Sequence, residues 1–254
     1  MPIEPNESPF PGHSYPQILP SVTRRERGNP APWSRVAHQD WSVLSLDEIV
    51  NRLSANSVYD IGDMPMVNDE IEYFQVRETR PVRKSAVLVC LIQDRDGVHL
   101  LLTRRAAHLK HHRLEVAFPG GRCEGDETPR ATALREAQEE VGLDPASVSI
   151  VGHLTPIVTM ASQSAIWPVI GVVRHRPAFT IDRNEVDRVF TVPIVDLLNV
   201  ESFAEERWWR DSQRLGSSDG SFPIFFYRVP EDLIWGATAR ILTELLEIVS
   251  GIVN

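Results

Sequence analysis

Hydrophobic positions along this chain fall into two periods. From residue 84 the texture is that of strands: 85–92 is rich in Val and Leu, the turn signal Asp94-Arg95-Asp96-Gly97 follows, and 98–103 is apolar again. Two apolar runs joined by such a turn predict a hairpin. Further extended runs are predicted at 116–118, 148–154, 166–173 and 222–229. Helical spacing begins earlier, where Ser45 and Glu48 are placed for a capping box and Leu46, Ile49, Val50 and Leu53 follow at i, i+3, i+4 and i+7. A second helix is predicted over 129–141, with Thr128 as its N-cap, Pro129 at its first position and Gly142 just past its end. The segment 185–198 predicts a short amphipathic helix broken around Pro193. A long helix is predicted over 233–249, striped by Ile234, Ala237, Ile241, Leu242, Leu245 and Val249. Hairpins among alternating strands and helices imply an α+β chain, a mixed sheet covered by helices, rather than a doubly wound parallel one.

Residues 1–33 hold eight prolines and follow neither period, so they read as an extended arm or a disordered tail. The chain divides accordingly into a Pro-rich arm (1–35), an N-terminal extension with one short helix (36–83) and a main domain (84–254). With 254 residues, 42% of them hydrophobic, there is enough apolar surface for one sizeable core. No apolar run reaches the roughly 18 residues of a membrane span, and the first residues lack a basic stretch followed by an apolar one. The expected setting is therefore the cytoplasm, with no membrane contact. Cys90 and Cys123 lack metal-ligand spacing and are expected as reduced thiols. The net charge of −9 speaks against broad binding to nucleic acid. It does not exclude a phosphate substrate, since cations can bridge carboxylates to phosphate oxygens.

Chemistry concentrates on the helix at 129–141. At 3.6 residues per turn Glu136, Glu139 and Glu140 share one face, which brings three carboxylates into a small volume. A hard cation such as Mg²⁺, with Mn²⁺ as the alternative, relieves that repulsion. Taken by itself, the helix reads more readily as a solvated acidic face with Arg135 as a local counter-charge. The surroundings change that balance. Gly121, five residues, Glu127, seven more and then Arg135-Glu136-Ala137-Gln138-Glu139-Glu140-Val141-Gly142-Leu143 match the Nudix box without a gap. Seven such positions coincide by chance on the order of once in a million chains.

The chain thus resembles the Nudix hydrolase family. That resemblance implies a mixed sheet sandwiched between helices (α/β/α) and a metal-dependent hydrolase that cleaves a diphosphate bond. It implies that Glu136, Glu139 and Glu140 bind metal and activate water, with the Gly121 carbonyl often joining the coordination, and that Arg135 and Glu127 pair to orient Glu136. Family members differ in the general base, which is a helix glutamate in some and a later-loop carboxylate in others. Here Glu185 is the first candidate for the later carboxylate and Asp187 the second, each by itself read more readily as an ordinary surface acid.

A second resemblance narrows the substrate. Residues 101–121, the segment from Glu185 to Pro193 and Ile234-Trp235-Gly236-Ala237-Thr238-Ala239 are similar to the coenzyme A pyrophosphatase branch. That similarity implies cleavage of coenzyme A or its thioesters to 3′,5′-ADP and a 4′-phosphopantetheine compound. The cluster Arg104, Arg105, Lys110, His111, His112 and Arg113 suits the anionic groups of such a substrate, or else forms a solvated basic loop. The chain departs from the branch at Ala106, Lys110 and Leu114, where Ser, Arg and Gly are usual, and in the loop 159–165. Two other readings remain: a Nudix hydrolase for another nucleoside diphosphate derivative, such as ADP-ribose or a dinucleotide, and a noncatalytic binding module with the Pro-rich arm as its partner segment. A homodimer is a further expectation left open.

Overall fold

A computed structural model of the protein describes residues 8–22, 24–36, 39–56, 83–159, 164–209 and 220–252. The centre is an eight-stranded mixed sheet. Its path runs β4 (Val116–Ala117), β3 (Gly97–Arg105), β2 (Arg83–Asp94), β8 (Ser164–Val173) and β6 (Ser149–His153). Off this path β5 (Gly120–Arg122) pairs with β2, β7 (Ile157–Thr159) with β8, and β9 (Val186–Pro193) with β3. β2 and β8 run parallel and the other pairs antiparallel.

The near-continuous apolar run of β2 follows from burial on both sides. Ala86, Leu88, Cys90 and Ile92 face one layer, with Ala133, Ala137 and Val141 of helix α2 (Pro129–Val141). Val89 and Leu91 face the other, with Leu46, Ile49 and Leu53 of helix α1 (Leu46–Ala55). Helix α4 (Gly236–Ser250) joins that second layer through Ala239, Ile241, Leu242, Leu245 and Val249. The α/β/α sandwich expected from the pattern is therefore present. Its hairpin, its capping box at Ser45 and both signed ends of α2 are also where the sequence puts them. Thr128 accepts from the Ala131 N–H, and Gly142 takes φ 69°, a left-handed turn open to glycine.

Two expectations change. Residues 186–193 form β9 rather than a helix, because that run of Val, Phe and Thr lies along the edge of β3; only Ile194–Leu198 is helical (α3). Residues 232–235 form a strand, β12 (Asp232–Trp235), paired with β11 (Ser221–Val229), so the last helix starts at Gly236. Both runs are apolar enough to satisfy either period, and pairing partners decide between them.

The Pro-rich segment packs against the domain over its described part. Arg24–Arg27 is β1, the edge of a second, antiparallel sheet of order β1-β10-β11-β12, where β10 is Phe203–Trp209. Arg25 forms a buried two-pronged pair with Glu206, at 2.7 and 2.8 Å, and the Trp208 indole N–H donates to the same carboxylate at 2.7 Å. Trp33 is fully buried, stacks on Tyr227 and donates to the Leu198 carbonyl at 2.7 Å. The arm docks because it carries large apolar anchors and one charge that β10 neutralises. Residues 57–82 of the predicted N-terminal extension and 160–163 of the loop 159–165 lie outside the described residues.

Candidate active site

The strand-turn-helix from Gly120 to Val141 assembles the acidic centre. Two glycines make the close approach. A side chain at Gly120 would collide with the backbone of Ala86 and Val87, and one at Gly121 with the carboxylate of Glu136. The helix then returns across this turn. Arg135 lies at the middle of it, donating through Nε and Nη2 to the two Glu127 oxygens at 2.8 and 3.0 Å. Its Nη1 serves Glu136 at 3.0 Å and Glu139 at 2.9 Å, and Nη2 also reaches the Arg122 carbonyl at 3.1 Å. Glu127 accepts further bonds from the Glu124 N–H and the Thr132 hydroxyl. Its carboxyl is accordingly held down at about 2, by Arg135 first. The expected pairing of Arg135 with Glu127 is thus in place, and it extends to Glu136.

Glu140 has a different environment. It is 3% exposed, and its nearest polar contacts are the Gly120 N–H at 3.3 Å and Arg105 at 4.0 Å. Burial pushes its carboxyl up to about 8; Arg105 and the Gly120 N–H oppose this, while the charges of Glu136 and Glu185 add to it. Burial likewise raises Glu136, against Arg135 and with Glu139 and Glu185. Glu185 therefore stands within electrostatic reach of both, where the Ala106 N–H holds its carbonyl at 2.8 Å beside the end of β3. Among the described residues, the convergence of three ligand atoms within 4.8 Å is Asp94, Asp96 and His99 in the β2–β3 hairpin, not the glutamates. Glu139, more than half exposed, is turned onto Arg135 instead.

The Glu140 shift gives stability a sign. An unfolded glutamate titrates near 4.5, whereas Glu140 keeps its proton to about 8. Between these values the folded chain binds the extra proton, so this contribution is whole below 4.5 and disappears as pH rises through 8. Chelator-treated protein should therefore unfold at a lower temperature at about pH 8.5 than at about pH 5. A divalent cation, which favours the ionised carboxylate, should flatten that fall. A thermal melt series with and without Mg²⁺ checks this; identical slopes would show that the cation does not meet Glu140.

The basic cluster is less uniform than its sequence. Arg104 is held by Asp187 at 2.7 and 2.8 Å and by Asp232 at 3.2 Å, so both Arg104 and the second candidate base, Asp187, have a protein partner. His112 bonds Glu115 at 2.9 Å, and that bond raises its pKa. Arg105 faces Glu140, and its buried Nε has no hydrogen-bond partner among the described residues. Lys110, His111, His112 and Arg113 lie exposed on the loop between β3 and β4. Leu114 takes φ 62°, a left-handed backbone that costs a residue with a side chain about 1 kcal/mol. Sequence reading missed Asp232, fully buried beneath Arg104 and Arg188, and Gln17, which bonds it. Neither lies in a periodic or motif context that could have signalled it.

Comparison with known proteins follows the same outline. A family model described as NUDIX domain matches residues 82–212. The chain is 38% identical over 167 residues to the Arabidopsis thaliana protein named Nudix hydrolase 15, mitochondrial, covering 63% of this chain and 56% of that one. It spans little more than half the length of that relative and of a second from the same plant, Nudix hydrolase 22, chloroplastic. The Nudix hydrolase NudL of Escherichia fergusonii is 31% identical over 207 residues, covering 81% of this chain and 95% of its own. Among solved structures, the Nudix hydrolase RenU of M. smegmatis aligns with 45% of this chain and 73% of its own at 21% identity and a TM-score of 0.40. No helix among the described residues is long and apolar enough to cross a membrane. With the box, its glycine turn and its arginine-held carboxylates in one centre, and a family match over half its length, the chain belongs to the Nudix hydrolase family.

Proposed function

We propose that the protein hydrolyses a diphosphate bond with a divalent cation, Mg²⁺ or in its place Mn²⁺, and that coenzyme A or an acyl-CoA is its substrate. The observation that carries the reaction is Glu140, a carboxylate buried beside Glu136 with no protein cation nearer than Arg105 at 4.0 Å among the described residues. Such a group is costly unless something positive joins it. The donor set of Glu136, Glu139, Glu140 and the Gly121 carbonyl is all oxygen, which fits a hard cation, and Gly121 keeps the space beside Glu136 open.

Bound there, the cation supplies charge neutralisation of the diphosphate and a more acidic water. The chain's own residues do the rest. Arg135, locked by Glu127, orients Glu136 and holds Glu139 beside it. Asp187 is engaged by Arg104, so we assign Glu185 as the later-loop acceptor of the water proton, within electrostatic reach of the buried Glu140. Arg105, Lys110, His112 and Arg113 meet the anionic groups of the substrate, while Arg104 acts from behind by holding Asp187 and Asp232. The two free thiols support a reducing compartment, the cytoplasm.

The coenzyme A assignment rests on the likeness of 101–121 and of the later segments to that branch. One observation favours a second substrate class. With Arg104 committed to two aspartates, fewer cations remain for a 3′-phosphate, which suits ADP-ribose or a dinucleotide. Incubation with Mg²⁺ and a panel of coenzyme A, acetyl-CoA, ADP-ribose and diadenosine compounds should release 3′,5′-ADP and 4′-phosphopantetheine from coenzyme A, and EDTA should stop it. ADP-ribose cleaved while coenzyme A stays intact would reject the substrate but keep the reaction. No cleavage of any member would reject the reaction.

A further inference from the structure

Gln17 lies in the Pro-rich arm, 97 residues before Leu114 and 215 before Asp232, yet its carboxamide touches both. Nε2 donates to the Leu114 carbonyl at 2.8 Å and to Asp232 Oδ1 at 2.7 Å, and Oε1 accepts the Leu233 N–H at 2.9 Å. The residue is 8% exposed. A buried amide with both donors and its acceptor in use is held in one orientation.

What it holds is strained. His112 and Leu114 take φ 55° and 62° in the left-handed region, which persists in residues other than glycine only where neighbours impose it. The Leu114 N–H donates to the Arg105 carbonyl at 3.1 Å, and Gln17 takes its carbonyl. The strained residue is thus gripped on one side by β3 and on the other by the arm. Between β3 and this grip runs the loop that exposes Lys110, His111, His112 and Arg113. The carboxylate of Asp232 that Gln17 bonds is also the one that receives Arg104 and Arg188.

We propose that Gln17 is a positioning residue: through the Leu114 carbonyl and Asp232, the N-terminal arm fixes the loop whose cations take up the anionic part of the substrate. This inference rests on the diphosphatase reading. Gln17 bonds Leu114, Asp232 and Leu233 and, among the described residues, none of the acidic centre's carboxylates, so its loss acts on substrate capture and not on the chemical step.

The test is Gln17→Leu in the full chain, which keeps bulk and removes both donors. KM for the panel member that is cleaved should rise about tenfold, with kcat changed by less than about twofold. By hydrogen exchange, the peptide 106–116 should exchange about tenfold faster while the helix peptide 129–141 is unaltered. An unchanged KM, or loop exchange like that of the wild type, overturns the proposal. So does a parallel loss of kcat with faster exchange in both peptides, which would make Gln17 a general stabiliser. Gln17→Asn, one methylene shorter, guards against misfolding and should fall between wild type and the Leu variant in both readouts. If the wild type cleaves nothing in the panel, the diphosphatase reading fails by itself, and exchange of the loop alone still decides whether the arm holds it.

Discussion

Glu140→Gln is expected to lower kcat by about a thousandfold at saturating Mg²⁺, and in the same variant to raise the unfolding temperature of the metal-free protein at about pH 8.5. The two effects have opposite signs for one reason. At that pH the wild-type chain either ionises a carboxylate that is 3% exposed or holds its proton against the solvent, and both weaken the folded state. Glutamine has nearly the same shape and no charge to lose. It also cannot hold a cation or a proton in the way the reaction needs. A residue kept for packing would show the reverse pattern, with stability falling and rate preserved. Steady-state kinetics and thermal melts on one preparation separate these outcomes. Retained turnover, or a melt that drops along with the rate, would remove Glu140 from the proposed chemistry. Glu185→Gln serves as the comparison, since it should slow the reaction without steadying the fold.

Arg135→Ala comes next in size. One guanidinium holds Glu127, Glu136 and Glu139 and ties the helix to the Arg122 carbonyl. Removing it leaves three carboxylates without their shared cation and frees the orientation of Glu136. Residues that orient metal ligands contribute about ten- to a hundredfold in metal affinity or activity, so turnover should fall by about a hundredfold at fixed, subsaturating Mg²⁺. Part of that loss should return as Mg²⁺ is raised, because the cation can replace some of the missing charge. Arg135→Lys restores charge but not the fork, and should recover stability more than rate. A metal titration of the three proteins decides it: if Ala and Lys variants match the wild type at every Mg²⁺ concentration, Arg135 is a surface counter-charge.

How far the sequence could be read depended on whether a feature was local. The ends of α2 were legible because Thr128, Pro129 and Gly142 each act on their own turn, and the acidic centre was legible because its candidate ligands sit on one helix and the strand before it. The αL backbone at Leu114 was not, since nothing in a leucine signals a positive φ; only its usual replacement by glycine in the resembling branch pointed there. The basic run at 104–113 looked like a set of free cations because its partners are distant: Asp187 and Asp232 reach Arg104 from 83 and 128 residues away. The second sheet was missed for a related reason. Arg24–Arg27 carries no apolar alternation, and its place is set by Glu206 and Trp208 on a strand far along the chain.

That edge strand bears on how the protein is made. β1 precedes its partner, β10, by some 180 positions, so the arm has nothing to pair with until the chain through β10 has left the ribosome. It is translated early and seated late. A chain begun at Lys84 would bring out β10 with an open hydrogen-bonding edge, a buried Glu206 stripped of its arginine and the apolar faces of Trp208 and Tyr227 uncovered. Such an edge invites another strand. A chain begun there would therefore be prone to aggregate through that face, and an N-terminal arm supplied separately would compete for the same slot.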